Sequence, residues 1–135
     1  VDMAIHRAAG PELLETCRAL GGCGVTEAKL TGGFRLAAPY VIHTVGPHYG
    51  AKDDAALLAE TYRSVLNLAA EHGIRFIAFP AISTGRFSYP KKAATEIAVR
   101  SVRQWKREHP NDLIKVMFAD VDLTIYRYFC EALKD

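Results

Sequence analysis

Residues 78–90 read Ala-Phe-Pro-Ala-Ile-Ser-Thr-Gly-Arg-Phe-Ser-Tyr-Pro, and this stretch decides the predicted fold. The apolar run at 76–79 predicts a buried strand, which enters a turn of small residues at 83–85. A helix rich in alanine and isoleucine is expected to begin near Pro90. Small residues let backbone N–H groups approach an anion, and the helix N-terminus behind them adds a positive dipole end. The turn therefore predicts a phosphate-binding loop.

Two aromatic residues follow this turn. Phe87 and Tyr89 are spaced to supply walls for a flat group beside the bound anion, which favours a nucleotide-like ligand. Aromatic residues near a loop are also common in cores and at rims. We therefore assign Phe87 to the wall of the pocket and interpret Tyr89 as structural.

Composition describes an ordinary globular domain. The 135 residues are 50% hydrophobic and 24% charged, and the formal net charge is only +2. So small a charge does not favour nucleic-acid or membrane binding. The basic residues also look scattered rather than arranged in a stripe, at Arg63, Arg75, Arg100, Arg103 and Arg107.

Cysteine usage favours a reducing compartment. Cys17, Cys23 and Cys130 form no CxxC pair and leave an odd number, so a disulfide scaffold is not expected. No apolar run approaches the ~18–20 residues that span a bilayer, and no signal-peptide pattern opens the chain. We expect a cytoplasmic protein that does not bind membranes.

Strand and helix patterns alternate along the chain. A short helical segment breaks at Gly10-Pro11, and the strand at 40–45 is predicted to be buried on both faces. Alternating elements with apolar strands predict an α/β fold, namely a three-layer α/β/α sandwich around a mixed, mostly parallel sheet. Helices are predicted at 11–20, 54–72, 91–108 and after Asp122, and strands at 27–31, 40–45, 75–80 and 113–119. Cys17 is interpreted as a packing residue on the first of these helices, and Asp122 is expected to cap the last. The residues expected on the apolar faces of the last three helices are those at 58, 62, 65, 66 and 69, then Ala94, Ile97, Ala98, Val102 and Trp105, and finally Ile125, Tyr126, Phe129 and Leu133.

Three segments carry a resemblance to a known family. They read Val-Asp-Met-Ala-Ile-His-Arg-Ala-Ala-Gly-Pro at 1–11, Ala-Pro-Tyr-Val-Ile-His-Thr-Val-Gly-Pro at 38–47 and Ala-Phe-Pro-Ala-Ile-Ser-Thr-Gly at 78–85. In this order and spacing they closely resemble the macro domain, above all the MacroD-type group of ADP-ribose-binding hydrolases. The resemblance covers essentially the whole chain, so residues 1–135 are interpreted as one macro domain.

The resemblance implies a site and a reaction. Macro domains bind ADP-ribose in a cleft above a mixed six-stranded sheet. By resemblance, Ser83, Thr84, Gly85, Arg86 and Phe87 form the loop around the diphosphate, with Phe87 near the distal ribose. Asp2 stands where hydrolytic members carry a catalytic acid. Such members release ADP-ribose from modified carboxylate side chains or deacetylate O-acetyl-ADP-ribose, without cofactor or metal.

The chain also departs from the family pattern. Before the position of Val1, macro domains carry two N-terminal strands, an Asn-rich motif and a glycine-rich loop. We expect this segment to be absent from the present sequence. It would contribute a central strand, an adenine-reading acid and a catalytic asparagine.

Plainer interpretations stay open at this stage. Asp2 suits the start of any helix, and the turn at 83–85 also fits a tight connection in which Gly85 provides a positive φ. His6 and His43 are expected to be hydrogen-bonded core residues rather than metal ligands, and the side chain of Arg86 is expected to be exposed. A non-catalytic ADP-ribose-recognition module is the first alternative function, and RNA binding is a second that the low charge argues against.

Overall fold

The computed structural model of the protein describes residues 2–134. Pro11 starts the second helix, as its fixed φ and missing N–H favour, and Pro90 directly precedes the helix predicted over 91–108. None of the helices within the described residues is both long and apolar enough to cross a membrane. The elements are α1 (Asp2–Ala9), α2 (Pro11–Ala19), β1 (Ala28–Gly32), β2 (Tyr40–Thr44), α3 (Asp54–Glu71), β3 (Phe76–Phe79), α4 (Lys91–Glu108), β4 (Lys115–Phe118) and α5 (Leu123–Leu133).

The four strands form two separate pairs. β1 and β2 are antiparallel, with Ala28 opposite Thr44, whereas β3 and β4 are parallel, with Phe76 opposite Lys115. A parallel pair needs a crossover connection, and α4 supplies it here. Mixed strand directions with packed helices confirm the predicted α/β fold class.

The core lies between α3, α4, α5 and the β3–β4 pair. Both long helices contribute the apolar stripe that their sequences predict, and Trp105 is 1% exposed while its indole N–H donates to Asn67 Oδ1 at 2.8 Å. All five residues predicted to face inward from α4 are buried: Ala94, Ile97, Ala98, Val102 and Trp105. This packing holds α4 against α3 and α5.

The strands β2 and β3 are more exposed than predicted. Tyr40 is 51% exposed, so the predicted burial of β2 on both faces was wrong, and Phe76 is 57% exposed although β3 was predicted to be buried. Within the described residues, β2 pairs only with β1 and β3 pairs only with β4, which leaves one edge of each strand without a partner. The expectation that residues upstream of Val1 supply a further strand stays a prediction.

The last helix corrects a second detail. Asp122 caps α5 as predicted, and Ile125 and Phe129 are buried. Tyr126 and Leu133 were predicted on the same face, but they are 57% and 47% exposed. Tyr126 is one residue beyond Ile125, which places it about 100° around the helix from the buried stripe.

Candidate ligand-binding site

A buried tyrosine fixes the start of the loop between β3 and α4. The hydroxyl of Tyr62 donates to the carbonyl oxygen of Pro80 and accepts from the N–H of Ile82, both at 3.0 Å. Tyr62 is fully buried, and this burial raises the pKa of its hydroxyl well above the usual range. The hydroxyl is therefore neutral and serves as a rigid bridge across the first residues of the loop.

The middle of this loop exposes a run of backbone donors. The N–H of Thr84 donates to the carbonyl oxygen of Ala81 over a long distance of 3.4 Å, so this hydrogen bond is weak. Ser83 and Phe87 of this run are half-buried, where an N–H group normally has an acceptor, so a ligand can supply one here. Four further N–H groups have no acceptor within residues 2–134, and they belong to Ser83, Gly85, Arg86 and Phe87.

Ser83 combines backbone strain with an unsatisfied hydroxyl. Its φ is 71°, in the left-handed region that costs a non-glycine residue about 1–2 kcal/mol. Its Oγ is buried and has no hydrogen-bond partner among the described residues. The loop packs so tightly here that a Cβ at Gly46 would collide with Ser83 Oγ and with Ile82. Strain and an unpaired polar atom at one residue point to a binding position.

Gly85 faces open space. A Cβ built on Gly85 meets no atom within 4 Å, and Gly85 is not among the residues with positive φ. The interpretation that Gly85 serves a left-handed turn is therefore wrong, since Ser83 holds that conformation instead. A ligand approaching the free N–H groups would occupy the space beside Gly85.

The N-terminus of α4 lacks the usual negative charge. Pro90 offers no side-chain acceptor, and the first turn contains no acidic residue. It contains Lys91 and Lys92 instead, of which Lys91 forms an ion pair with Asp122 at 2.7 Å. The helix dipole and the free N–H groups therefore make this end of α4 electropositive.

A second loop, residues 46–51, covers the first. The ring of His48 lies 3.7 Å from the ring of Phe87, centroid to centroid, and the N–H of Tyr49 donates to the carbonyl oxygen of Phe87 at 2.9 Å. Tyr89 is buried, as predicted for a structural residue, and Arg86 is exposed, as expected. Phe87 is thus held in place from the side of His48 and Tyr49.

Asp2 lies on α1, away from these contacts. Its carboxylate is 88% exposed and lies 3.8 Å from Nε2 of His6, one helical turn later. Within residues 2–134, no hydrogen bond or ion pair joins Asp2 to the loop at 83–87. The structure brings the five predicted loop residues together but does not bring Asp2 into contact with them.

Two histidines near Asp2 have different environments. His43 is hydrogen-bonded through Nε2 to Thr31 Oγ1 at 2.9 Å, as predicted for a core histidine, and burial followed by the charge of His6 lowers its pKa. His6 departs from the same prediction, because its buried Nδ1 has no partner among the described residues. Burial, and then the charge of Asp2, raise the pKa of the Cys17 thiol, which fits its interpretation as a packing residue. Within the part of the chain described, no three His, Cys, Asp or Glu side chains converge on a metal position.

The residues that support the loop have only partial signals in the sequence. Tyr62 belongs to the apolar stripe of α3, and nothing in that pattern indicates that its hydroxyl braces the loop. Gly46 follows a predicted strand, and no local pattern marks His48. All three act through contacts between distant parts of the chain, which local patterns do not report.

Comparison with known proteins decides the family. A family model described as the Macro domain matches residues 1–98, which is most of the chain. The chain belongs to the macro domain family. This agrees with the resemblance stated above and with the fold.

Individual relatives support the same conclusion. The macro domain-containing protein RSc0334 of Ralstonia nicotianae is 54% identical over 93% of this chain and 74% of its own length. The ADP-ribose glycohydrolase MACROD1 of Bos taurus is 47% identical over 94% of this macro domain, which spans 41% of that protein. A solved Oceanobacillus iheyensis macrodomain with ADP matches with a TM-score of 0.93 and 36% identity, over 99% of this chain and 74% of that one.

Proposed function

We propose that this macro domain binds ADP-ribose and hydrolyses ADP-ribosyl esters, either on mono-ADP-ribosylated proteins or in O-acetyl-ADP-ribose. The observation that carries the proposal is the set of unpaired N–H groups in the loop after β3. Relatives named ADP-ribose glycohydrolase and a solved macrodomain with ADP support the choice of ligand. Neither a cofactor nor a metal enters the proposed reaction.

Different residues of the loop would contact the diphosphate and the distal ribose. The diphosphate would accept hydrogen bonds from the free N–H groups of residues 83–87 and from Ser83 Oγ, beside the electropositive start of α4. Hydrogen bonds to a charged group contribute about 1.5–3 kcal/mol each, so several of them offset the strain at Ser83. Phe87, braced by His48, would pack against the distal ribose.

Asp2 is proposed as the catalytic acid–base residue. A carboxylate beside the bound ribose can orient and partly deprotonate a water, which then attacks the anomeric carbon or the ester carbonyl. The departing carboxylate already carries its charge well, so the leaving group needs little protonation. His6 Nε2, 3.8 Å from the carboxylate of Asp2, would hold that carboxylate in position.

A purely ADP-ribose-binding module is the alternative. The exposure of Asp2 and its separation from the loop favour this alternative, because a reader needs the loop but not the acid. Asp2 also stands in the first turn of α1, where any carboxylate stabilises the helix.

The two functions separate in one experiment. Asp2→Ala should lower the release of ADP-ribose from an automodified protein by about 100-fold or more, which is the usual contribution of general acid–base catalysis. Affinity for ADP-ribose, measured by calorimetry, should change by less than about threefold, because Asp2 does not contact the predicted diphosphate loop. Glu60→Ala, which removes an exposed carboxylate of α3 outside the site, is the matched control.

Each outcome has a clear meaning. Equal turnover by the wild type and Asp2→Ala would exclude Asp2 as the catalytic residue. Binding without turnover in the wild type would support the recognition module instead. No ADP-ribose binding by the folded wild-type protein would reject the proposed ligand.

A further inference from the structure

A groove runs along the outer surface between α4 and α5. Its volume is about 560 Å³, and none of the predicted site residues lines it. It begins at Lys92, two residues after the proline that ends the ligand-binding loop, and continues along α4 to Arg107. At 1.5 Å of rise per residue the groove is about 22 Å long, which matches an extended peptide of about six or seven residues.

Positive charges lie along this groove in a row. Arg100, Arg103 and Arg107 recur at helical spacing and all line the groove, so the interpretation of the basic residues as scattered was wrong for these three. The row is not evident in the sequence, where Arg63 and Arg75 of other segments precede the three arginines of α4. Folding of residues 91–108 into one helix brings the three arginines to one face.

Not all of these cations are free. The guanidinium of Arg103 donates to the carbonyl oxygens of Leu133 at 2.9 Å and Ala132 at 3.4 Å, at the C-terminal end of α5. Lys92, Arg100 and Arg107 form no ion pair within the described residues. Arg103 therefore fixes the two helices together, while the other three cations point to an anionic partner.

The spacing of charges indicates which anion fits. Lys92, Arg100 and Arg107 are separated by about 12 Å and 10 Å along the helix. Glu96 lies between the first two, and Glu131, which forms an ion pair with Lys134 at 3.4 Å, lines the groove from α5. These two carboxylates would repel an uninterrupted row of phosphates, as in a nucleic acid strand. Carboxylates three residues apart in an extended peptide are about 10 Å apart and would meet the three cations in register.

We propose that the α4–α5 groove binds an acidic peptide segment with spaced carboxylates, which lies next to the modified side chain of an ADP-ribosylated protein. This inference rests on the proposed function, because it assigns the groove to the polypeptide part of that substrate. Arginine suits the role, since its guanidinium pairs with a carboxylate through two parallel hydrogen bonds. Tyr128, half-buried in the groove wall, supplies apolar contact for the peptide backbone.

A labelled heptapeptide tests the groove directly. The probe is fluorescein-labelled Glu-Ser-Ser-Glu-Ser-Ser-Glu, and its binding is followed by fluorescence anisotropy at low and physiological salt. The double variant Arg100→Glu/Arg107→Glu should bind at least tenfold more weakly. The control Arg18→Glu/Arg75→Glu makes the same change in net charge at two exposed residues outside the groove and should bind as the wild type does.

Two further probes define the outcomes. A peptide with the same composition but three adjacent glutamates should bind more weakly than the spaced peptide, and hexathymidylate should not compete with it. Equal loss of binding in both double variants, or tighter binding of hexathymidylate, would overturn the proposal. The second result would assign the groove to a nucleic acid.

Calorimetry with ADP-ribose separates this inference from the proposed function. The groove variant should bind ADP-ribose as the wild type does, but it should release ADP-ribose from an automodified acidic protein with a lower kcat/KM. If the wild type binds no ADP-ribose while the groove binds peptide, the proposed function fails and the groove remains a peptide site. If the groove variant retains full kcat/KM on the modified protein, the groove has no part in substrate binding.

Discussion

The loop between β3 and α4 and the loop between β4 and α5 leave the same end of the β3–β4 pair. They differ in whether the helix that follows is capped by a carboxylate of this chain. At α5, the Oδ1 atom of Asp122 accepts from the N–H of Ile125 at 3.0 Å, so the helix N-terminus carries its own carboxylate. At α4, Pro90 provides no such acceptor. Both helices have the same dipole, and only one is capped by its own chain.

The carboxylates of the loop at 119–122 extend this difference. Asp120 accepts from the N–H of Asp122 at 3.0 Å and from the N–H of Ala81 at 3.3 Å. In the loop at 81–89, by contrast, the charged side chain is that of Arg86, and four N–H groups have no acceptor among residues 2–134. The loop after β4 has its own carboxylates, one of which also accepts from Ala81, whereas the free N–H groups at 83–87 are left to a ligand.

A carboxylate placed in the loop after β3 should make it resemble the loop after β4. In Gly85→Glu the new side chain would enter the open space beside Gly85 and put a negative charge where the diphosphate is proposed to lie. Two like charges about 4 Å apart near a protein surface repel by about 4 kcal/mol, so ADP-ribose affinity should fall at least 100-fold. Calorimetry on the folded variant measures this loss.

The control places the same charge in the other loop. Val121 is 85% exposed, so Val121→Glu should fold normally and bind ADP-ribose within about twofold of the wild type. Equal affinity of Gly85→Glu and the wild type would show that the free N–H groups do not hold the diphosphate. Gly85→Ala, which adds only a Cβ facing open space, should lie between the two.

Substitution of Ser83 tests whether the strained residue of the loop contributes to ADP-ribose binding. Ser83→Gly removes the left-handed strain at φ 71° and should raise the free energy of unfolding by about 1 kcal/mol. The same change removes the unpaired Oγ, so ADP-ribose affinity should fall about tenfold, the effect of one hydrogen bond to a charged group. Urea unfolding and calorimetry measure the two effects separately. A variant that loses stability and retains affinity would contradict the assignment of Ser83.

Much of the fold could be predicted from the sequence because its signals are local. Pro90 starts α4, Asp122 caps α5 and the apolar stripes of α3 and α4 face the core, all as predicted. Each of these features depends on residues within a few positions of one another. The exposure of β2 and β3 could not be predicted in the same way, because burial of a strand depends on which neighbours flank it.

In the candidate site, too, the local features could be predicted from the sequence and the contacts between distant residues could not. The loop at 83–87 is a continuous segment, so its small residues could be recognised directly in the sequence. The bridge made by Tyr62 and the ring contact between His48 and Phe87 join residues that are far apart in the chain. The left-handed residues of the loop at 81–89 are Ser83 and Ser88 rather than Gly85, so residue type alone does not identify the left-handed positions.

The smallest expected effect is the pH dependence of stability that comes from Asp122, in the loop between β4 and α5. The ion pair with Lys91, followed by the hydrogen bond from Ile125, lowers the pKa of Asp122 below its ordinary value of 3.8. The folded state therefore holds this carboxylate deprotonated more firmly than the unfolded state does, which stabilises the fold above about pH 4. As the pH falls through the lowered pKa, that stabilisation is lost.

Asp122→Asn isolates this contribution. The asparagine can still cap α5, but it carries no charge, so the Tm at pH 7 should fall by no more than about 4 °C, as expected for a solvent-screened ion pair, and the gap from the wild type should close as the pH falls through the lowered pKa of Asp122. Thermal melts followed by circular dichroism across this range measure the gap, with Glu60→Gln, an exposed acid-to-amide change in α3, as the control. A gap that is independent of pH would mean that the charge of Asp122 does not stabilise the fold.

The variant Asp122→Asn also removes the ion-pair partner of Lys91, which lies in the first turn of α4. ADP-ribose affinity should rise by about two- to threefold, because the N-terminus of α4 then carries more positive charge beside its ligand.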